Sequence, residues 1–235
     1  MAEIAPETPD PLTSIYQGRG EEVDPYRPTF TGDVLRAIDG DGRAIVLQHP
    51  CALRTGGVDL VERLLVAAVL PAADLPLSSG KFRSDWAKES LRVMRLPDLA
   101  GDGVDAGADF RRVDIIPSGE LDQQYERIAI LSLAGVNLLL QRWIRHNARV
   151  IVPTVTIADQ VLGPFEEADL AADWCATYAD TPTEGAAQMR GFDEWIKAPL
   201  HSGGALRRQA ALEDPQTRSA VRRALQQHLR AASGR

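Results

Sequence analysis

Residues 32–70 read GDVLRAIDGDGRAIVLQHPCALRTGGVDLVERLLVAAVL, and this stretch decides the fold. Gly32–Ile38 and Arg43–Gln48 are rich in aliphatic and β-branched residues, and Gly40-Asp41-Gly42 between them is a tight-turn signal, so a hairpin is predicted. The second strand runs into Gln48-His49-Pro50-Cys51-Ala52-Leu53-Arg54-Thr55-Gly56-Gly57, a loop whose proline cannot donate to a ladder and whose paired glycines permit positive φ. Arg63–Leu70 follows, a mostly apolar run suited to a strand buried on both faces.

Working outward toward the C-terminus, Pro71–Lys81 is punctuated by Pro71, Pro76, Ser78, Ser79 and Gly80 and is long enough for a lid or binding loop. Trp86–Leu91 suits a helical turn. Ser90–Leu96 then alternates apolar with polar residues, the signature of a half-buried strand. An acidic, glycine-rich loop over Pro97–Gly107 leads to a strand at Asp109–Ile116, and Tyr125–Leu131 reads as a short last strand. Ser132 is a good N-cap for a helix that places Leu133, Val136, Leu140, Trp143 and Ile144 on one face. Arg142, Arg145 and Arg149 gather toward its C-terminal end, where they complement the helix dipole. Six strands and a closing helix thus occupy residues 31–150.

Beyond Pro153 the pattern turns helical over 151–235. One helix is predicted to start at Gly163-Pro164, with Pro at its first position. A second covers Thr183–Lys197. A third begins at Asp214-Pro215 and buries Val221, Leu225 and Leu229 while its arginines lie elsewhere on the circumference. In the other direction, residues 1–30 hold five prolines among acids and few aliphatics, a composition that predicts a flexible or draped arm.

The 235 residues are 44% hydrophobic and 25% charged, ordinary for a chain that buries a proper core. A formal charge of -7 argues against broad electrostatic binding of nucleic acid and leaves room only for local basic patches. The acidity sits mainly in the arm: residues 1–30 carry -4, residues 31–150 only -1, and residues 151–235 carry -2. Cys51 and Cys175 lie far apart without ligand spacing, so neither a disulfide framework nor a metal site is predicted. No Walker loop or dinucleotide fingerprint occurs, and no cofactor is expected. The N-terminus has no leader pattern and no apolar run approaches a membrane span, so a cytoplasmic, non-membrane protein is the expectation.

The order of elements resembles the PemK/MazF family of small SH3-like barrels, bacterial toxins of toxin–antitoxin pairs that act as endoribonucleases. Gly32-Asp33-Val34 matches the opening strand of that family, and Arg43-Ala44-Ile45-Val46-Leu47 matches an Arg leading an aliphatic strand. Thr55-Gly56-Gly57 and Val66-Ala67-Ala68-Val69-Leu70 match a glycine loop and the third strand. Ala108–Asp114 resembles a later strand, and Tyr125–Ala148 the last strand and final helix. The resemblance covers about residues 30–150. It implies a mainly β protein with helices (α+β), an SH3-like barrel over 31–150 followed by a helical extension, and a homodimer.

In that family the Arg before the second strand and a hydroxyl ending the third act on the scissile phosphate while the RNA's own 2′-OH attacks it. Arg43 matches the first position, and a delocalised, always charged fork suits a phosphate whose charge is developing. Leu70 occupies the second and has no hydroxyl, so catalysis is expected to be altered or lost; Ser78 and Ser79 are the nearest substitutes. The loop after the hairpin adds Gln48, His49, Cys51, Arg54 and Thr55. One reading makes Cys51 a nucleophile or His49 a general acid–base beside Arg43, and Gln48, Cys51, Arg54 and Thr55 are candidate substrate contacts. The plainer alternative makes Cys51 a small packed residue and His49 an edge-strand side chain. Phe82, Trp86 and Tyr125 are candidate base-stacking platforms or core anchors, and Arg111-Arg112 reads as an exposed strand position and its neighbour. The expected partner is single-stranded RNA. The alternative is an antitoxin-like protein, with the chain a non-catalytic interaction module of a toxin–antitoxin or defence complex.

Overall fold

The computed structural model describes residues 7–75 and 92–233. Among them run nine strands, β1 (Tyr16–Arg19), β2 (Val34–Ala37), β3 (Arg43–Val46), β4 (Arg54–Thr55), β5 (Asp59–Leu60), β6 (Arg63–Pro71), β7 (Val93–Leu96), β8 (Ala106–Pro117) and β9 (Tyr125–Leu131). Six helices accompany them: α1 (Leu121–Gln124), α2 (Leu133–Ala148), α3 (Thr154–Tyr178), α4 (Pro182–Lys197), α5 (Arg208–Ala211) and α6 (Pro215–Ser233). The chain is mixed α+β and divides into two compact units. The first comprises residues up to Val23 with Phe30–Leu53 and Leu60–Ala158; the second comprises Asp24–Thr29, Arg54–Asp59 and the chain from Asp159 onward.

In the first unit an antiparallel sheet of order β1-β9-β2-β3-β6-β8-β7 curls into a half-barrel. Its central strands are covered on both faces, which is why β6 reads as an almost unbroken apolar run. Register places Val34, Ile45 and Ala67 in one row, all fully buried, while Leu35, Val46, Leu64, Val66 and Ile116 belong to the other face. That second face forms a cluster closed by Leu53 and Leu121. Helix α2 contacts β7 and β9, and it starts where the sequence places it, with the Ser132 hydroxyl accepting from the Gly135 amide at 3.2 Å.

Two expectations are corrected. The expected six strands become seven: the arm is draped, with Ile15 fully buried and β1 paired with β9. YQGR carries no apolar alternation, so only the non-local edge of β9 could have revealed this strand. Nor does a helix start at Pro164. Helix α3 begins ten residues earlier, at Thr154, and carries Pro164 in its interior. Burial of Ile157, Val161 and Phe165 at helical spacing outweighs the amide hydrogen bond that proline forfeits.

The second unit has its own core. Leu170, Trp174 and Cys175 of α3, Met189, Phe192, Trp195 and Ile196 of α4, and Val221 and Leu225 of α6 pack together. The His228 ring stacks on Trp174 with centroids 5.0 Å apart, and its Nε2 lies 3.2 Å from the Tyr178 hydroxyl. Helix α4 is capped by Thr181, whose hydroxyl accepts from the Glu184 amide. The Arg27 guanidinium, only 1% exposed, pairs with Asp169 at 2.9 Å and lies 4.9 Å over the Phe165 ring.

Candidate functional site

Arg43 opens β3 directly opposite Arg36 of β2, and Arg36 stands opposite Glu126 of β9. Arg36 and Glu126 form a short ion pair across that register. Two like charges facing each other across a ladder are unfavourable, and Glu126 offsets one of them. Arg43 is left half-buried, its side chain without a hydrogen bond or ion pair to any described residue. A delocalised fork in that state is available to an anion.

The other predicted residues are spent differently. Gln48 is a turn brace: its side-chain carbonyl accepts from the Leu65 amide at 3.2 Å and its amide donates to the Ala52 carbonyl at 3.0 Å. His49 caps the short turn Pro50–Ala52, its Nδ1 accepting from the Cys51 amide at 3.3 Å. Burial pushes its imidazole below the ordinary histidine value, which favours the neutral ring that this bond requires. The thiol of Cys51 is exposed.

Arg43 and His49 were expected to act on one phosphate, and the strand separates them. Five residues lie between them, Ala44 to Val46 in β3 and then Leu47 and Gln48 in the turn that follows. Arg43 opens β3, whereas His49 lies three positions past its last residue, Val46. Arg54 and Thr55 belong to the second unit, so the predicted set is divided between two bodies. The Arg54 guanidinium donates to the Val58 carbonyl at 2.7 Å and the Thr29 carbonyl at 3.2 Å, holding the β4–β5 turn to the 24–29 strap, while Thr55 is exposed. Ser78, Ser79, Phe82 and Trp86 lie outside the described residues.

Position 70 departs further from the family than the missing hydroxyl alone. Ala44 faces Ala68, so Leu70, two residues on, shares the Ala44 face and not that of Arg43. There it packs with Ala72 against Leu75 and Val93. The arginine and the strand-end residue of the family pattern therefore project to opposite sides of this sheet.

The sequence passed over a second charged group. Asp109 on β8 is fully buried and takes Arg111 bidentately, at 2.9 and 2.7 Å, and also accepts from the Arg111 amide at 3.1 Å. The Arg111 side-chain bond holds the Asp109 carboxyl below its ordinary value against the opposing effect of burial. The spacing Asp-x-Arg was visible in the sequence; that the carboxylate is buried was not. In the second unit, Cys175 donates to the Gly185 carbonyl at 3.1 Å, and burial pushes its thiol up to about 11, which makes it a core residue.

A cavity of 390 Å³ in the first unit is lined by Glu7, Pro9, Asn137, Leu138, Thr154 and Val155 among others, and none of the predicted site residues reaches it. Among the described residues no helix is long and apolar enough to cross a membrane, and no group of three or more His, Cys, Asp or Glu is placed to hold a metal ion. No family model, curated protein or solved structure matches the chain.

Proposed function

We propose that the first unit is an SH3-like barrel of the PemK/MazF type that binds single-stranded RNA and does not cleave it. The observation that carries this reading is Arg43: half-buried, without an internal partner and set in a cross-strand row with Arg36 and Glu126. A buried guanidinium would need a carboxylate of its own, whereas one at a strand's open end is suited to a phosphate oxygen. Cleavage by the family's route needs a hydroxyl or base acting on the same phosphate. Leu70 offers neither and lies on the other face, and the His49 ring is engaged with the Cys51 amide in the turn beyond β3. The cytoplasmic setting and homodimer implied by the resemblance belong to the same proposal, and sedimentation velocity reads the dimer.

Induced expression in a bacterial host tests the lack of cleavage. Wild type and Arg43→Ala are expected to leave growth and cellular RNA equally intact. Growth arrest with fragmented RNA in wild type, abolished in Arg43→Ala, would overturn the proposal in favour of an active nuclease. A second reading, a protein-interaction module of a toxin–antitoxin or defence complex, draws support from the helical unit with its separate core. Wild-type protein that retains no RNA would favour that reading.

A further inference from the structure

Strand β8 changes character halfway along its length. Residues 106–109 are paired on both sides, with β6 and with β7. The register with β6 then jumps: Ala68 faces Asp109, but Ala67 faces Val113, so Phe110, Arg111 and Arg112 have no opposite number. Such a bulge re-aims side chains, and the question is whether this one is fixed.

It is fixed at its entry, from two sides. Phe110 turns inward, 2% exposed, with its ring centroid 5.5 Å from that of Trp143 and 5.8 Å from that of His146. Its amide donates to the Arg92 carbonyl at 2.8 Å. On the other side of the bulge's entry, Asp109 holds Arg111 through the three bonds described above, and the Nε of Arg112 lies 3.7 Å from the same carboxylate. One buried carboxylate thus anchors two cations whose side chains reach solvent, Arg112 to 62%. The bidentate bond uses the Nε edge of Arg111 and leaves its Nη1 facing away from Asp109. The next acid, Asp114, is turned back onto the Ile115 amide at 2.7 Å. Val113 and Ile115 continue the same strand with 38% and 54% of their surface exposed.

We propose that Arg111 and Arg112 form a second phosphodiester-binding site for single-stranded RNA, with Val113 and Ile115 giving apolar contact to the adjoining nucleotide. This rests on the RNA-binding reading and extends it to a face that the Arg43 row does not supply. Preorganisation is the physical argument: Arg111 is already ordered by Asp109, so little rotamer freedom remains to be lost when a phosphate arrives. An added peptide strand is disfavoured because the Ile115 amide is already engaged and charged residues alternate along this segment.

The test is fluorescence anisotropy with a short labelled single-stranded RNA of mixed sequence, over a salt series, on the full chain. Arg112→Gln is the informative variant because its exposure leaves folding untouched, and Arg190→Gln, on exposed α4, controls for net charge. Arg112→Gln is expected to weaken binding roughly three- to tenfold and to lower the slope of log affinity against log salt by about 0.7. Arg190→Gln should match wild type. Wild-type affinity and slope in Arg112→Gln, or equal weakening in Arg190→Gln, overturn the site while leaving RNA binding in place. Wild type that binds no RNA overturns both readings.

Discussion

Four arginines, two in each unit, are used in opposite ways. In the helical unit Arg27 is enclosed by Asp169 and Phe165, and Arg54 gives its fork to the Val58 and Thr29 carbonyls. Within the sheet unit Arg43 has no described partner and Arg112 reaches solvent past a carboxylate already taken by Arg111. The first kind of arginine holds structure together, and the second is the kind proposed to meet a ligand. Charge alone does not separate them; the difference lies in whether the fold brings carbonyls and carboxylates to the guanidinium.

Removing Arg27 should break this contrast most severely. Arg27→Ala removes the guanidinium that Asp169 holds at 2.9 Å and empties the space over Phe165, at a cost of about 3 kcal/mol. Urea unfolding is expected to show early loss of the helical unit while RNA retention by the sheet unit persists below that transition. Arg43→Ala should do the reverse. Its stability is expected to stay within about 0.5 kcal/mol of wild type, and its RNA affinity to fall roughly fivefold, a loss of about 1 kcal/mol.

Glu7 sharpens the comparison at smaller scale, because the strap before β1 is held by a carboxylate. Its oxygens accept from the Thr154 amide at 2.9 Å and from the Thr154 hydroxyl, while the Arg142 guanidinium donates to its backbone carbonyl at 3.0 Å. Burial pushes the Glu7 carboxyl up, but the Thr154 and Gln141 hydrogen bonds and the Arg142 charge together hold it below its ordinary value. A depressed carboxyl stabilises the fold above its unfolded value, and that contribution is lost as pH falls through the folded value. Glu7→Gln should therefore cost about 1 kcal/mol at neutral pH, with the gap to wild type closing in acid.

Glu167 has the opposite sign. Burial, with Asp193 nearby, raises its carboxyl above the ordinary value despite the hydrogen bond from Gln209 at 2.9 Å and the charges of Lys197 and Arg54. Here the stabilising contribution is complete in acid and disappears as pH rises through the folded value. Glu167→Gln is expected to raise the melting temperature of the helical unit by a few degrees at neutral pH and to leave it unchanged in acid. An equal rise at both pH values would contradict the assignment.

Local signals were readable in the sequence wherever one residue decides a local geometry. Ser132 marked the start of α2, the Gly40-Asp41-Gly42 turn marked the β2–β3 hairpin, and the apolar run of β6 announced burial on both faces. What depended on distant partners was not readable. β1 is strand only because β9 offers an edge, and Arg54 is structural only because Thr29, 25 residues away, lies within reach. The predicted site residues are dispersed for a similar reason. Arg43 and His49 are near in sequence, but extended backbone carries them apart, whereas Arg36 and Glu126, 90 positions apart, meet across the ladder.

The central claim, that the sheet unit holds RNA through Arg43 without cutting it, is tested most directly by incubating purified protein with labelled single-stranded RNA. Retention and strand length are then read from the same samples. The account predicts that wild type retains the RNA at full length and that Arg43→Ala retains less of it, also at full length. Fragments that appear with wild type and vanish with Arg43→Ala would contradict it.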